Sequence, residues 1–478
     1  MYKEGGRPPV SPKLLLLVLL MQFIERLSDR TAAYNLRYRL DWKIAFGLEL
    51  DFAGIHPTTL VYFRDRLVEN EKASYAFDQI IGHLVECGLI KKNTKQRIDS
   101  THIIGKVREL SRLELFHETL RVFCNEIEVN QITIPQSLVE RYEFYLEDIS
   151  IKGISEAQKT RYIREAGLSM KLFIDWGIVE DSEEVSTLKS YNLMIQVFEQ
   201  NFVDDNPDPD GKQELIKVAT GKDHICSPHE DEARYANKGG KGWIGYKGQI
   251  AETISEGDVN FITHIELDEA TDHDEAAIDR FVDDQKEKGI LPSKVYGDTH
   301  YNTSDNIEKL EKDNIELVGP VMPRSQKEVQ EKNKGFRIDA DNQAVTCPAN
   351  KTSKRYSIRS QGQVSATFSL DDCDNCPRKK ICQPEPRGKT ILLRPENETL
   401  ELRRAMMETE EFKEDMHKRN GIEGTISGLV RGQGLRLSRY RGKAKNRLQL
   451  KLGGAAANVS RLHRKRCADR ENVRKQAA

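Results

Sequence analysis

Lys294-Val295-Tyr296-Gly297-Asp298 reads as a short apolar strand that stops at a glycine and a carboxylate. The flanking stretches fix its setting. Upstream, Trp243-Ile244-Gly245-Tyr246-Lys247-Gly248-Gln249-Ile250-Ala251 and Phe261-Ile262-Thr263-His264-Ile265-Glu266-Leu267 read as two neighbouring strands. An acidic helix from about Asp274 to Lys288 follows, with Ile278, Phe281 and Val282 on one face. Downstream, a helix from Ser304 through Leu310 leads to the strand Ile315-Glu316-Leu317-Val318. Two strands, then helix, strand, helix, strand, describe a mixed α/β sheet. In such sheets ligands gather beyond the carboxyl ends of the strands, where Asp298 falls.

Two further carboxylates share this kind of setting. Asp99 lies in Arg97-Ile98-Asp99-Ser100-Thr101-His102, a strand candidate over residues 97–103. Glu423 lies in Arg419-Asn420-Gly421-Ile422-Glu423-Gly424-Thr425-Ile426, in the later part of a helical region that begins near Pro395. Each alone reads as readily as a cap or turn residue. Their order (strand Asp, strand Asp, helix Glu) is more specific. Three carboxylates gathered by a fold can hold two divalent metals against a phosphodiester, because Mg²⁺ prefers hard oxygen ligands. His102 and His300 stand near two of the acids and suit either proton transfer or structural hydrogen bonding.

The 478 residues suffice for two or three domains with proper cores. With 74 basic and 76 acidic residues the chain is nearly neutral, but the charge is uneven. From Gly424 onward fifteen Lys and Arg face only Asp469 and Glu471, so this end should attract a polyanion. The apolar run Leu14–Met21 is far shorter than the roughly 20 residues of a membrane span. A cytoplasmic protein is the expectation, and the resemblance given below further implies association with the nucleoid.

Residues 1–95 read as short helices. Thr58 is the expected N-cap of one that runs through Leu60-Val61-Tyr62-Phe63-Arg64-Asp65-Arg66-Leu67 and presents Arg64 and Arg66 on an exposed face. A helix-turn-helix-like DNA reader and a packed helical cap both fit. Residues 106–235 read as charged amphipathic helices without strand signal, interrupted by the turn cluster Asn206-Pro207-Asp208-Pro209-Asp210-Gly211. Lys238-Gly239-Gly240-Lys241 reads as a flexible, basic entry to a strand or a plain solvated turn.

The polar stretch 325–400 carries Cys347 and then Cys373-x2-Cys376-x5-Cys382. This set suffices for a tetrahedral Cys₄ zinc site, and a segment with so little core would gain from a structural Zn²⁺. Reduced surface thiols, a redox pair or an iron–sulfur site are the other readings. Near Glu423, Arg419, Arg431, Arg436, Arg439, Arg441, Lys443 and Lys445 suit phosphate contacts that position DNA without reading its sequence. Arg461, Arg464, Lys465 and Arg466 follow.

The chain resembles DDE insertion-sequence transposases with a ribonuclease H-like core. Its motifs are most similar to a bacterial group with a helical N-terminal domain and a Cys-rich insertion before the last acid. The resemblance rests on Gly6-Arg7-Pro8-Pro9, His56-Pro57-Thr58-Thr59-Leu60, Asp99-Ser100-Thr101-His102, Gly297-Asp298-Thr299-His300-Tyr301, Ile422-Glu423-Gly424-Thr425 and Gly434-Leu435-Arg436-Leu437-Ser438-Arg439-Tyr440-Arg441-Gly442. In the related Tyr-x2-Arg-x3-Glu-x6-Lys signature Arg419 and Glu423 fit, while Met416 and Val430 stand at the other two positions.

The resemblance implies a ribonuclease H-like mixed sheet flanked by helices, with Asp99, Asp298 and Glu423 as the triad holding two Mg²⁺ or Mn²⁺ ions. The implied reaction cuts double-stranded DNA at transposon ends and joins it to target DNA, with a homodimer pairing the two ends. The expected organisation is a DNA-binding domain at 1–95, a catalytic domain at 96–445 with insertions at about 106–235 and 325–400, and a basic tail at 446–478. Only five residues precede Gly6, where members of the group often carry a further segment. An inactive or domesticated DNA-binding derivative, or a nuclease without strand transfer, is the alternative.

Overall fold

In a computed structural model the described residues are 10–108, 110–147, 155–179, 183–204, 215–217, 224–323, 335–339, 342–359, 364–386, 388–393 and 398–477. The Gly6-Arg7-Pro8-Pro9 motif and the Asn206–Gly211 turn cluster lie outside them. The chain divides into two compact units, residues 1–293 with 419–478, and residues 294–418.

The first unit is built on strand β1, Lys95–Ile104, which pairs antiparallel with β3, Lys241–Ile254, from Lys95↔Ile254 to Ile104↔Gly245. The far edge of β3 takes β2, Arg234–Lys238, along its first residues and β4, Ile262–Glu269, along the rest. β2 was not anticipated. Gly239 and Gly240 both adopt positive φ, 60° and 80°, so Lys238-Gly239-Gly240-Lys241 closes a tight two-residue hairpin rather than a flexible entry.

Helices cover one face of this sheet. α1, Pro12–Ile24, buries Leu15, Val18, Leu19, Leu20 and Phe23. It is apolar nearly all round because it is enclosed by neighbouring elements. α2, Asp29–Tyr38, starts at Ser28, whose hydroxyl accepts from Thr31 N at 3.1 Å. α3 is Leu40–Phe46, and α4 runs Pro57–Glu69. The cap of α4 is His56, not Thr58: its ring nitrogen accepts from Thr58 N, with Pro57 supplying the first helical φ.

Residues 446–478, expected as a basic tail, largely belong to one helix, Lys443–Ala477. Its first half places Leu448, Leu450, Leu452 and Ala455–Ala457 in the same core as Leu19, Phe77, Ile250 and Ile265. The early helices and the sheet therefore share one hydrophobic centre. A separate core lies in the helices Arg112–Val129, Val139–Leu146, Glu156–Val179 and Lys189–Asn201, where Phe116, Phe123, Met170, Phe173 and Met194 are fully buried. Among the described residues the reading of 106–235 as helical meets two exceptions, the antiparallel pair of Phe202–Asp204 with Leu215–Lys217 and the start of β2 at Arg234.

In the second unit β5, Lys294–Tyr296, and β6, Glu316–Val318, run parallel, joined through the helix Ser304–Lys312. The Cys-rich stretch forms an antiparallel trio, Arg355–Ile358, Val364–Phe368 and Lys389–Leu393, over a small core of Val345, Val364, Ala366, Phe368 and Ile391. The architecture is α+β, with mixed sheet flanked by helices, consistent with a ribonuclease H-like fold. Among the described residues no helix is long and apolar enough to cross a membrane.

Candidate active site

Alternation along β1 puts Arg97, Asp99 and Thr101 on one face, opposite Glu252, Ile250 and Gly248 of β3. Asp99 is buried, at 8 % exposure. One of its oxygens accepts from Ser100 N at 2.7 Å, and the other lies 3.4 Å from Arg419 Nη2. Two residues beyond Arg419 begins the helix Gly421–Gly432, with Glu423 in its first turn. Its buried face carries Ile422, Thr425 and Leu429, while Glu423 is exposed. An anionic side chain there is favoured by the helix dipole.

The helix seats on β1 at close range. A Cβ on Gly421 would stand 2.0 Å from Arg97 Nη1, so only glycine allows the backbone this near the guanidinium. The Asp99 strand and the Glu423 helix thus belong to one packed unit. Asp298 belongs to the second unit, half-buried just past β5, where its carboxylate accepts from His300 N at 2.9 Å. Asp415 anchors that strand, accepting from Tyr296 Oη at 2.9 Å and pairing with Lys294 at 3.1 Å and Lys418 at 2.7 Å. Burial works to raise the Asp415 pKa, but Lys418, Tyr296 and Lys294 outweigh it and hold it down to about 2.

The basic residues divide in a way the sequence did not reveal. Arg64, expected on an exposed face, is buried in a two-pronged pair with Asp29 and stacks 4.9 Å from the Tyr440 ring centre. Arg436 donates to His102 O at 2.6 Å, and Arg439 donates to Leu27 O and lies over Phe23. Lys443 pairs with Glu269 and Lys445 with Asp65. Arg461, read as part of a DNA-facing block, is turned inward onto Glu252. Arg66, Arg431 and Arg441 are exposed. His102 packs against Trp243; burial, helped by Arg436 and Lys238, pushes its pKa down and favours the neutral ring. Glu252 and Glu230 are buried carboxylates that the sequence does not mark, because charged residues inside strand or turn stretches carry no signal of burial. Burial also raises the Glu230 pKa, and Tyr246 Oη donates to it at 2.8 Å.

In the second unit Cys347, Cys373, Cys376 and Cys382 all line one cavity of about 30 Å³, together with Phe336 and Phe368. Lys351 N donates to Cys347 Sγ at 3.4 Å. Burial pushes the Cys373 thiol up, and the neighbouring Cys376 and Cys347 add to the shift. Among the described residues no three His, Cys, Asp or Glu side chains already stand in a coordinating array. The chemistry of the four sulfurs and the small cavity they share nevertheless fit a soft, ion-sized guest.

Comparison with known proteins adds two matches. A family model described as a transposase DDE domain matches residues 346–463, a span that holds Glu423 and all four of these cysteines. A second, described as a transposase domain (DUF772), matches residues 1–66. No curated protein and no solved structure matches the chain. Transposase models matched at both ends of the chain indicate an insertion-sequence DDE transposase.

Proposed function

We propose that this transposase cleaves DNA at the ends of its element and joins the freed ends to target DNA, using Asp99, Asp298 and Glu423 as its catalytic carboxylates. The observation that carries the reading is the seating of the Glu423 helix on the Asp99 strand, with Arg419 reaching Asp99 from the approach to that helix. Carboxylate oxygens are the hard donors that Mg²⁺ and Mn²⁺ take, and two such ions, when bound, would supply charge neutralisation at the phosphodiester and an activated water. The protein's own part is to orient the carboxylates. Arg419 is suited to neutralise a phosphate drawn toward Asp99, and the exposed Arg431 and Arg441 to fix the DNA backbone.

The four cysteines lining one cavity support a structural Zn²⁺ that fastens the Cys-rich trio of strands. The need to pair two DNA ends supports a homodimer on DNA, and action on DNA supports residence at the bacterial nucleoid. The test is incubation of the purified chain with its own end DNA and Mg²⁺, scoring nicks and joined products. Joined strands support the proposal. Cut DNA without joining indicates a nuclease, and binding without cutting indicates an inactive derivative.

A further inference from the structure

Beneath the Glu423 helix lies a closed ionic cluster. Glu252 has no solvent exposure. Its Oε1 accepts from Arg97 Nε at 2.7 Å and Nη2 at 2.6 Å. Its Oε2 accepts from Thr425 Oγ1 at 2.5 Å and Arg461 Nη1 at 2.9 Å. Arg461 Nη2 in turn donates to Thr425 Oγ1 at 2.5 Å, and Nη1 donates also to Asn260 O at 2.9 Å. One carboxylate therefore ties together β1 through Arg97, β3 through itself, the Glu423 helix through Thr425, and the long helix through Arg461. Arg97 and Arg461 keep only 9 % and 13 % of their side-chain surface exposed.

We infer that Glu252 and Thr425 are positioning residues for Glu423, fixing the rotation and height of its helix against the Asp99 strand. The inference rests on the catalytic reading of Asp99 and Glu423 given above. Thr425 is the only residue of the described helix that joins this cluster through its side chain, and it lies two positions from Glu423. Ile422 and Leu429 hold the helix by apolar contact, which sets distance loosely; the hydroxyl wedged between a carboxylate and a guanidinium sets it to hydrogen-bond tolerance. A buried ion cluster of this kind is expensive in desolvation and is better explained by the geometry it imposes than by net stability.

Thr425→Val removes the hydroxyl while keeping the shape, and Thr425→Ser restores it. On the full chain, the expected result for Thr425→Val is amide exchange over Gly421–Gly432 about tenfold faster than wild type, with the helix Arg112–Val129 unchanged as an internal control. Affinity for end DNA should stay within about twofold, while single-turnover cleavage with Mg²⁺ falls about tenfold or more, because small displacements of reacting groups are costly. Thr425→Ser should recover both. Unchanged exchange overturns the inference whether or not cleavage falls, and faster exchange with wild-type cleavage overturns it too. If the wild-type chain does not cut DNA at all, the catalytic reading fails, and the exchange comparison alone then judges the clamp.

Discussion

Arg64 on α4 and Asp29 at the start of α2 form a fork-to-fork pair, Nη1 to Oδ1 at 2.8 Å and Nη2 to Oδ2 at 2.6 Å. Gln22 of α1 donates to the same Asp29 at 2.7 Å, so three helices meet at one carboxylate. Burial works against the Asp29 charge, but Arg64 and Gln22 prevail and its pKa is lowered. Arg64→Ala should therefore act on stability before it acts on DNA binding. Removing one partner of a buried pair costs several kcal/mol; with Asp29 still 27 % exposed, about 2 kcal/mol is expected. Urea unfolding would measure it. A variant of wild-type stability with weakened DNA binding would return Arg64 to the DNA surface.

Asp415 gives the second unit an acid-sensitive joint. Its pKa sits at about 2, below its ordinary 3.8, so folding favours its charged form. The stability it contributes is complete above about pH 4 and is lost as pH falls toward 2. Asp415→Asn should remove that contribution at neutral pH and flatten the acid branch of the unfolding curve in this window. Chemical denaturation from pH 5 to pH 2, followed by a probe in residues 294–418, checks it.

The thiol cavity leads to a metal-content experiment. Purified chain should carry about one Zn²⁺ per molecule, and a strong chelator should expose all four of Cys347, Cys373, Cys376 and Cys382 to thiol reagents together. Cys376→Ser should lower zinc occupancy and speed proteolysis in the Cys-rich stretch. Absence of bound zinc, with the four thiols reacting independently, would leave an ordinary set of reduced cysteines.

At Gly421 the consequence of a single methyl can be worked out. Its Cβ would meet Arg97 Nη1 at 2.0 Å, and Arg97 has little freedom to swing aside because Glu252 holds it at 2.6 Å. Gly421→Ala should displace the Glu423 helix and cut cleavage by about tenfold or more, although alanine is the better helix former. Single-turnover cleavage beside circular dichroism distinguishes a displaced helix from an unfolded chain.

Much of the sheet was legible because its signals are local. Lys294–Tyr296 stops at Gly297-Asp298 as read, and the strands around Ile250 and Ile265 lengthen by only a few residues. Element type failed only at β2 and at the short pair Phe202–Asp204 with Leu215–Lys217; the other failures were failures of burial. Arg64, Arg439 and Arg461 look like DNA contacts in a basic run, yet their partners Asp29, Leu27 and Glu252 are 35 or more residues away in the chain. Charge density cannot tell an outward arginine from one that closes an internal pair. The helix Lys443–Ala477 hides its core role for a related reason: its core-facing Leu and Ala stretch is flanked by so much Lys and Arg that its average character is polar.

The proposed role of Asp99, Asp298 and Glu423 in the chemistry is tested by single-turnover cleavage of end DNA with Mg²⁺ by Asp99→Asn, Asp298→Asn and Glu423→Gln, each paired with a DNA-affinity measurement. All three should lose cleavage by about a thousandfold or more while binding stays within a few-fold of wild type, as expected for groups acting at the reaction and not at the surface. Wild-type cleavage by any one of them would remove that residue from the triad and contradict the account.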